Sequence, residues 1–218
     1  MQRFARFLSA LAFSAMFALP SASSALTLSD LNAGASFSTT GGEVSFDFAA
    51  GSIALAGALP LDLSQYTVVP TTTGFIVSGP LAALGPAAFG VLALAYQVSA
   101  GAGFALTSAG LQASGLAFGP GAFAIASSGL SNGAGLGLLF ASGGGTGSAT
   151  SASFASTGAL SALSGVQLFA LTPGDVASIA SLHFSFGWVS VPEPVAGLLL
   201  ALGLGGLALF ARRGVSAQ

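Results

Sequence analysis

The sequence predicts an all-β body, an antiparallel β-sandwich or jelly-roll, on three observations. Two stretches alternate with a period of two. At 43–48, Val44, Phe46 and Phe48 fall on one face and Glu43, Ser45 and Asp47 on the other. At 181–189, Leu182, Phe184, Phe186 and Trp188 oppose His183, Ser185 and Gly187. Glycine, 32 residues in all, interrupts nearly every apolar run, and each glycine inside a helix costs about 1 kcal/mol relative to alanine. Finally, between residues 26 and 190 no apolar run reaches the roughly 20 residues that a spanning helix needs. The longest, 81–98, is broken by Gly85, Pro86 and Gly90, which sets aside a multispanning body.

Taken in order, 26–37 sets Leu26, Leu28 and Leu31 among Ser29, Asp30 and Asn32, and Thr39-Thr40-Gly41-Gly42 makes a turn into the strand at 43–48. The run 51–61 is apolar but glycine-interrupted. Strands at 66–69 and 74–77 flank the turn Pro70-Thr71-Thr72-Thr73. A helix competes for 81–94, but Gly85-Pro86 and the β-branched, aromatic finish through Val91, Tyr96 and Val98 favour a strand over 87–100. Between 101 and 157 Gly-Leu recurs at 110, 115, 129 and 135 without a solenoid period, and strands are read at 111–118, 122–127, 136–141 and 148–155. A strand at 166–171, the turn Pro173-Gly174-Asp175 and the strand at 181–189 complete the body.

Charge excludes more than it assigns. All four basic residues, Arg3, Arg6, Arg212 and Arg213, lie outside 26–190, and the acids inside are Asp30, Glu43, Asp47, Asp62 and Asp175. Nucleic acid is excluded as a partner, because phosphate neutralisation needs Lys or Arg. The stretch 142–148, Ser-Gly-Gly-Gly-Thr-Gly-Ser, lacks the lysine of a phosphate loop and reads as a turn. There is no cysteine, hence no disulfide and no thiol chemistry. His183 is the single histidine, and Ser185 beside it on one strand face does not make an oriented nucleophile and base. Glu43 and Asp47 stand about 13 Å apart on one strand face, too far for one metal ion and wider than a glycosidase pair. No catalytic residue, metal site or cofactor is therefore expected, although a calcium site drawing on Asp30, Asp62 or Asp175 remains the alternative.

The two ends read as addresses. Arg3 and Arg6, an apolar run over 7–19 and the small residues of 20–25 form a secretory signal peptide over 1–25. Cleavage is expected after Ala25, with Ala22 the alternative. At the other end, Pro192-Glu193-Pro194 precedes seventeen uncharged, mostly apolar residues, 195–211, and then Arg212 and Arg213. This order resembles the tripartite PEP-CTERM sorting signal of Gram-negative bacteria, over about 25 residues. The opening Leu-Thr-Leu-Ser-Asp-Leu, the Gly-Gly turn and the phenylalanine-rich strand resemble the N-terminal part of many such substrates more loosely. One departure is Val195, where the family often has a small or hydroxylated residue.

The resemblance implies that residues 191–218 are a sorting module with a transmembrane helix at 195–211, recognised by the membrane peptidase-transpeptidase exosortase near Pro192, Glu193 and Pro194. A helix of that length spans about 26 Å, slightly short of a 30 Å core. Arg212 and Arg213 are the stop-transfer cluster and hold the cytoplasmic side. The precursor would face the periplasm from the inner membrane, and the body would pass to the cell surface or extracellular matrix, typically in bacteria that make exopolysaccharide and biofilm. The plain alternative is a type I membrane protein that keeps its helix.

For the body, residues 26–190, the expectation is a non-enzymatic surface or matrix protein that associates with exopolysaccharide or with itself, since its edge strands lack gatekeeper lysines. A carbohydrate-binding module, with Tyr66, Tyr96 or Trp188 as stacking platforms, is the second reading, although Trp188 reads first as core from its place in the Leu182 stripe, and an enzyme built from scattered carboxylates is the third. Two solvent-exposed aromatics side by side would favour the module.

Overall fold

A computed structural model describes residues 25–141 and 148–191. Pro192, Glu193, Pro194, Arg212, Arg213 and the expected helix at 195–211 lie outside the described residues, as does the signal peptide except for Ala25, which is exposed and immediately precedes the first strand.

The described chain is almost entirely antiparallel strand, in two sheets. The strands are β1 (Leu26–Thr27), β2 (Ser36–Ser38), β3 (Val44–Asp47), β4 (Ile53–Gly57), β5 (Thr67–Pro70), β6 (Gly74–Leu84), β7 (Ala88–Ala100), β8 (Phe104–Phe118), β9 (Ala122–Leu130), β10 (Gly135–Ala141), β11 (Ser148–Ser156), β12 (Leu160–Ala170) and β13 (Val176–Ser190). Sheet 1 runs β1-β5-β6-β13-β8-β11. Sheet 2 runs β10-β9-β12-β7-β3-β2, with β4 following β3 along the same edge of β7. From β6 onward the order β6-β13-β8-β11 against β7-β12-β9-β10 is that of a jelly roll.

Most strands outrun their sequence limits. β6 continues to Leu84, β8 begins at Phe104, β12 at Leu160 and β13 at Val176. The helix that competes for 81–94 is absent: the chain turns at Gly85 (φ 87°) and Ala87 (φ 58°) and enters β7. A short helix the strand pattern does not signal, α1 (Leu28–Asn32), follows β1. Thr27 caps it, with the Asp30 amide donating to Thr27 Oγ1 (3.2 Å) and the Thr27 amide donating to Asp30 Oδ2 (2.8 Å). It buries Leu28 and Leu31 completely.

The core between the sheets has two textures. Toward β3 and β6 it is aromatic: Phe46, Phe75, Tyr96, Phe184 and Phe186 pack with Phe48 and Phe37, with ring centroids 4.9–6.4 Å apart. Toward β8, β9 and β12 the buried residues are largely alanines, among them Ala109, Ala113, Ala117, Ala124, Ala126 and Ala162, with Leu136, Leu138 and Phe140 from β10 beside them. Leu182, Phe184 and Phe186 of β13 are buried as the alternation predicts, but a register shift between Gly187 and Trp188 leaves Trp188 half-buried against Phe104.

Candidate functional site

The outer face of sheet 2 carries the most developed surface feature. Three strands bring three phenylalanines into one row: Phe169 of β12 stands opposite Phe89 of β7 on one side and Phe123 of β9 on the other. The Phe123 and Phe169 rings stack at 4.5 Å and 22°, and Phe89 is 49% exposed. Beside this row Gln167 pairs with Val91 and Ile125, so an exposed amide adjoins the aromatic strip. The next row is small: Gly137, Ser127, Gly165, Ala93 and Ala54 follow one another across the sheet. It opens a depression of about 180 Å³ between Gln167 and Leu163. A Cβ on Gly165 would collide with the Leu92 carbonyl oxygen, so pairing between β12 and β7 requires glycine there.

Farther along β7 the same face opens into a cleft of about 450 Å³, where the chain leaves β3 and returns as β4. Asp47, Gln97 and Ser161 stand side by side on adjacent strands at its rim, all exposed. Phe48 and Tyr96 lie beneath, and the buried Ser52 hydroxyl has no protein partner among the described residues. From Phe89 to Gln97 the face extends about 26 Å at roughly 3.3 Å per residue. Its polar groups are amides, hydroxyls and one carboxylate, with no cation among the described residues. Such a surface can offer ring faces to C–H bonds and paired donors and acceptors to hydroxyls. It has no positive group to match a phosphate, a sulfate or an acidic sugar.

Two of the aromatics expected as platforms, Tyr66 and Tyr96, are buried, so those two expectations are corrected, while Trp188 is half-buried. Tyr66 is fully buried, its hydroxyl donating to the Pro60 carbonyl (3.0 Å), and burial raises its pKa. Tyr96 is buried in the aromatic core, with its hydroxyl 3.2 Å from Ser164 Oγ and Ser164 Oγ 2.7 Å from Ser128 Oγ. Desolvation pushes Tyr96 up to about 12, against the hydrogen bonds of Ser164 and Ser128. Trp188 packs edge-on against Phe104. The residues that form an outward-facing aromatic row are Phe89, which is exposed, and Phe123 and Phe169, which are half-buried.

The titratable groups are dispersed. His183 lies on the outer face of sheet 1 between Ile76 and Gln112 in register. Desolvation lowers its pKa, and its Nε2 is buried without a hydrogen-bond partner among the described residues. Asp30 caps α1, and hydrogen bonds from the backbone and hydroxyl of Thr27 lower its pKa. Asp62 caps the 3-10 turn Leu63–Gln65, lowered by the hydroxyl and amide of Ser64. Glu43 accepts from Thr39 Oγ1 at 3.3 Å. Asp175 clips the turn between β12 and β13, its Oδ2 accepting from the amides of Leu171 (3.0 Å) and Thr172 (2.6 Å). Desolvation pushes its pKa up, but hydrogen bonds from Thr172, Gly121 and Leu171 together outweigh that and hold it below the usual range. Among the described residues no three His, Asp or Glu side chains gather into a metal-binding group.

No family model matches the chain, and no curated protein matches it. Among solved structures it is similar to TmCBM61, crystallised in complex with β-1,4-galactotriose, at 15% identity and a TM-score of 0.34, over 61% of this chain and 86% of that one. It is also similar to the enzymatically active domain of tailspike protein 4 of bacteriophage CBA120, at 16% identity and a TM-score of 0.28, over 62% of this chain and 18% of that one. The chain thus spans less than a fifth of that tailspike domain's length. Likeness of this degree carries no argument about ligand or chemistry.

Proposed function

We propose that this chain is the precursor of an exported, non-enzymatic surface or matrix protein that holds a neutral polysaccharide on the outer face of sheet 2. The observation that carries the reading is the row Phe89, Phe169 and Phe123 beside Gln167, on the same uncharged stretch that leads to Gln97, Asp47 and Ser161. Aromatic faces flanked by a few polar groups are the usual chemistry of a site for an uncharged, hydroxyl-rich ligand. The carboxylates Asp30, Asp62 and Asp175 each serve a local backbone bond.

Export and sorting are proposed from the ends. Pro192, Glu193 and Pro194 follow directly on β13, and the apolar segment with Arg212 and Arg213 comes after them. By the resemblance, exosortase would act near Glu193 and detach the body from the inner membrane. Mass spectrometry of the protein recovered from the cell surface tests this: a C-terminus near 192–194 is expected, and recovery of intact Gln218 would favour a retained type I anchor.

The ligand reading is tested by affinity electrophoresis through gels containing a neutral galactan, a neutral glucan or an acidic polysaccharide. Retardation by a neutral polymer is expected, with at least a tenfold loss of affinity in Phe89→Ala and little retardation by the acidic one. Equal retardation of the wild type and Phe89→Ala would overturn it.

A further inference from the structure

The two flanks of the sandwich end differently. On one flank the sheets finish in β1 and β2, strands of two and three residues. The solvent-accessible carboxylates Asp30, Glu43, Asp47 and Asp62 belong to this side. Short edges and charge are how sheets ordinarily avoid adding a further strand. On the other flank sheet 1 ends in the nine residues of β11 and sheet 2 in the seven of β10. Neither strand carries a charge or a proline, and no charged residue occurs between Asp62 and Asp175. Among the described residues β11 pairs with β8 alone.

We propose that β11 is the pairing edge for a second copy of this chain, joined antiparallel about a two-fold axis near Ala152, so that sheet 1 runs on from one body into the other. The residues of β11 argue for a second copy as the occupant. Read 148–156, the strand is Ser-Ala-Thr-Ser-Ala-Ser-Phe-Ala-Ser, close to a palindrome. Antiparallel self-pairing about Ala152 sets Ser148 against Ser156, Ala149 against Ala155 and Ser151 against Ser153, with Thr150 against Phe154 the one unlike pair. A two-fold axis perpendicular to the sheet keeps the exposed Ala149, Ser151, Ser153 and Ala155 on the outside. The shift in pairing with β8 between Ser153 and Ser156 leaves Ser151 to Ser153, around the axis, regular.

Electrostatics permits the pairing. β3, which carries Asp47, lies four strands in from β10, about 19 Å at about 4.8 Å per strand. Doubled across the axis, that separation far exceeds a screening length of roughly 8 Å in physiological salt. Two copies therefore meet through their uncharged flanks, with their solvent-accessible carboxylates at the far ends and Asp175 buried in the turn between β12 and β13. The inference stands apart from the polysaccharide reading, which uses the outer face of sheet 2.

The test uses the full chain in mild detergent. Because it has no cysteine, single substitutions report distance cleanly. Ala152→Cys is expected to form an oxidised dimer at least ten times faster than Ala149→Cys on the same strand or Ala54→Cys on the opposite flank, since directly opposed Cβ atoms lie within disulfide reach. Sedimentation is expected to show a monomer-dimer equilibrium that Ser151→Lys with Ser153→Lys weakens at least tenfold, with the thermal midpoint unchanged in dilute, monomeric solution. A monomer at every concentration, equal cross-linking at the three positions, a dimer indifferent to the lysines, or an open polymer in place of a dimer would overturn the proposal.

Discussion

The flank built from residues 25–73 and the flank built from β8 to β12 are made of different materials. The first has short edge strands, the accessible carboxylates and, beneath it, the aromatic cluster of Phe37, Phe46, Phe48 and Phe75. The second has long uncharged strands over a core in which alanine predominates, and its largest apolar side chains include Phe123, Ile125, Leu139, Leu163 and Phe169, none of which is buried. Burial stabilises in proportion to apolar area, about 25 cal/mol per Å². The first flank therefore holds the fold more strongly per residue, and the second turns its apolar area toward solvent. Stability concentrated on one side leaves the other free to serve as a surface.

The largest effect that could break this contrast comes from truncating a core residue on each side. Phe46 is fully buried and touches Phe37, Phe75, Tyr96 and Phe186. Phe46→Ala should cost about 3–5 kcal/mol, the range for large-to-small changes at a ring. Leu138 lies on the edge strand β10 and is 8% exposed. Leu138→Ala should fall at the low end of its range, about 2 kcal/mol. Urea denaturation of both variants decides it: if Leu138→Ala costs as much as Phe46→Ala, the two flanks support the fold equally and the contrast fails.

The same contrast explains what the sequence made legible. The strands at 43–48 and 181–189 were readable because large apolar residues face the core and polar ones face water. In β9 the order is inverted: Ala122, Ala124 and Ala126 point inward, and Phe123 and Ile125 outward. A pattern reading turns the larger residue inward, so it could not find a site made of Phe89, Phe123 and Phe169. These lie in three strands far apart in sequence and meet only through register. The front of β8, with Thr107, Ser108, Ala109 and Gly110, was missed because neither face offers a hydrophobic contrast. Helix α1 is shorter than any periodic window, though Thr27 and Asp30, three residues apart, were its visible sign.

Tyr96 sharpens the contrast at the seam between the two materials. Its ring stacks on Phe48 at 5.1 Å and meets Phe75 and Phe184 edge-on, while its hydroxyl reaches Ser164, which holds Ser128. In Tyr96→Phe the two serines keep each other, and the loss near neutral pH should be about 1 kcal/mol, the worth of one hydrogen bond. The alkaline limb is more telling. With no lysine and no cysteine in the chain, Tyr66 and Tyr96 are the side chains left to titrate there. Tyr96 keeps its proton up to about 12 in the folded protein because desolvation disfavours the phenolate, whereas in the unfolded chain it ionises near 10. The stability this contributes is fully present below pH 10 and is lost as pH rises through 12. At about 1.4 kcal/mol per pH unit, that amounts to roughly 3 kcal/mol. Unfolding followed from pH 8 to pH 12 should therefore show a steep alkaline loss in the wild type. In Tyr96→Phe the loss should be shallower, the remainder coming from Tyr66, whose pKa is also raised by burial. Parallel curves for the two proteins would mean that the Tyr96 hydroxyl reaches water, and the seam would then be open where the packing makes it closed.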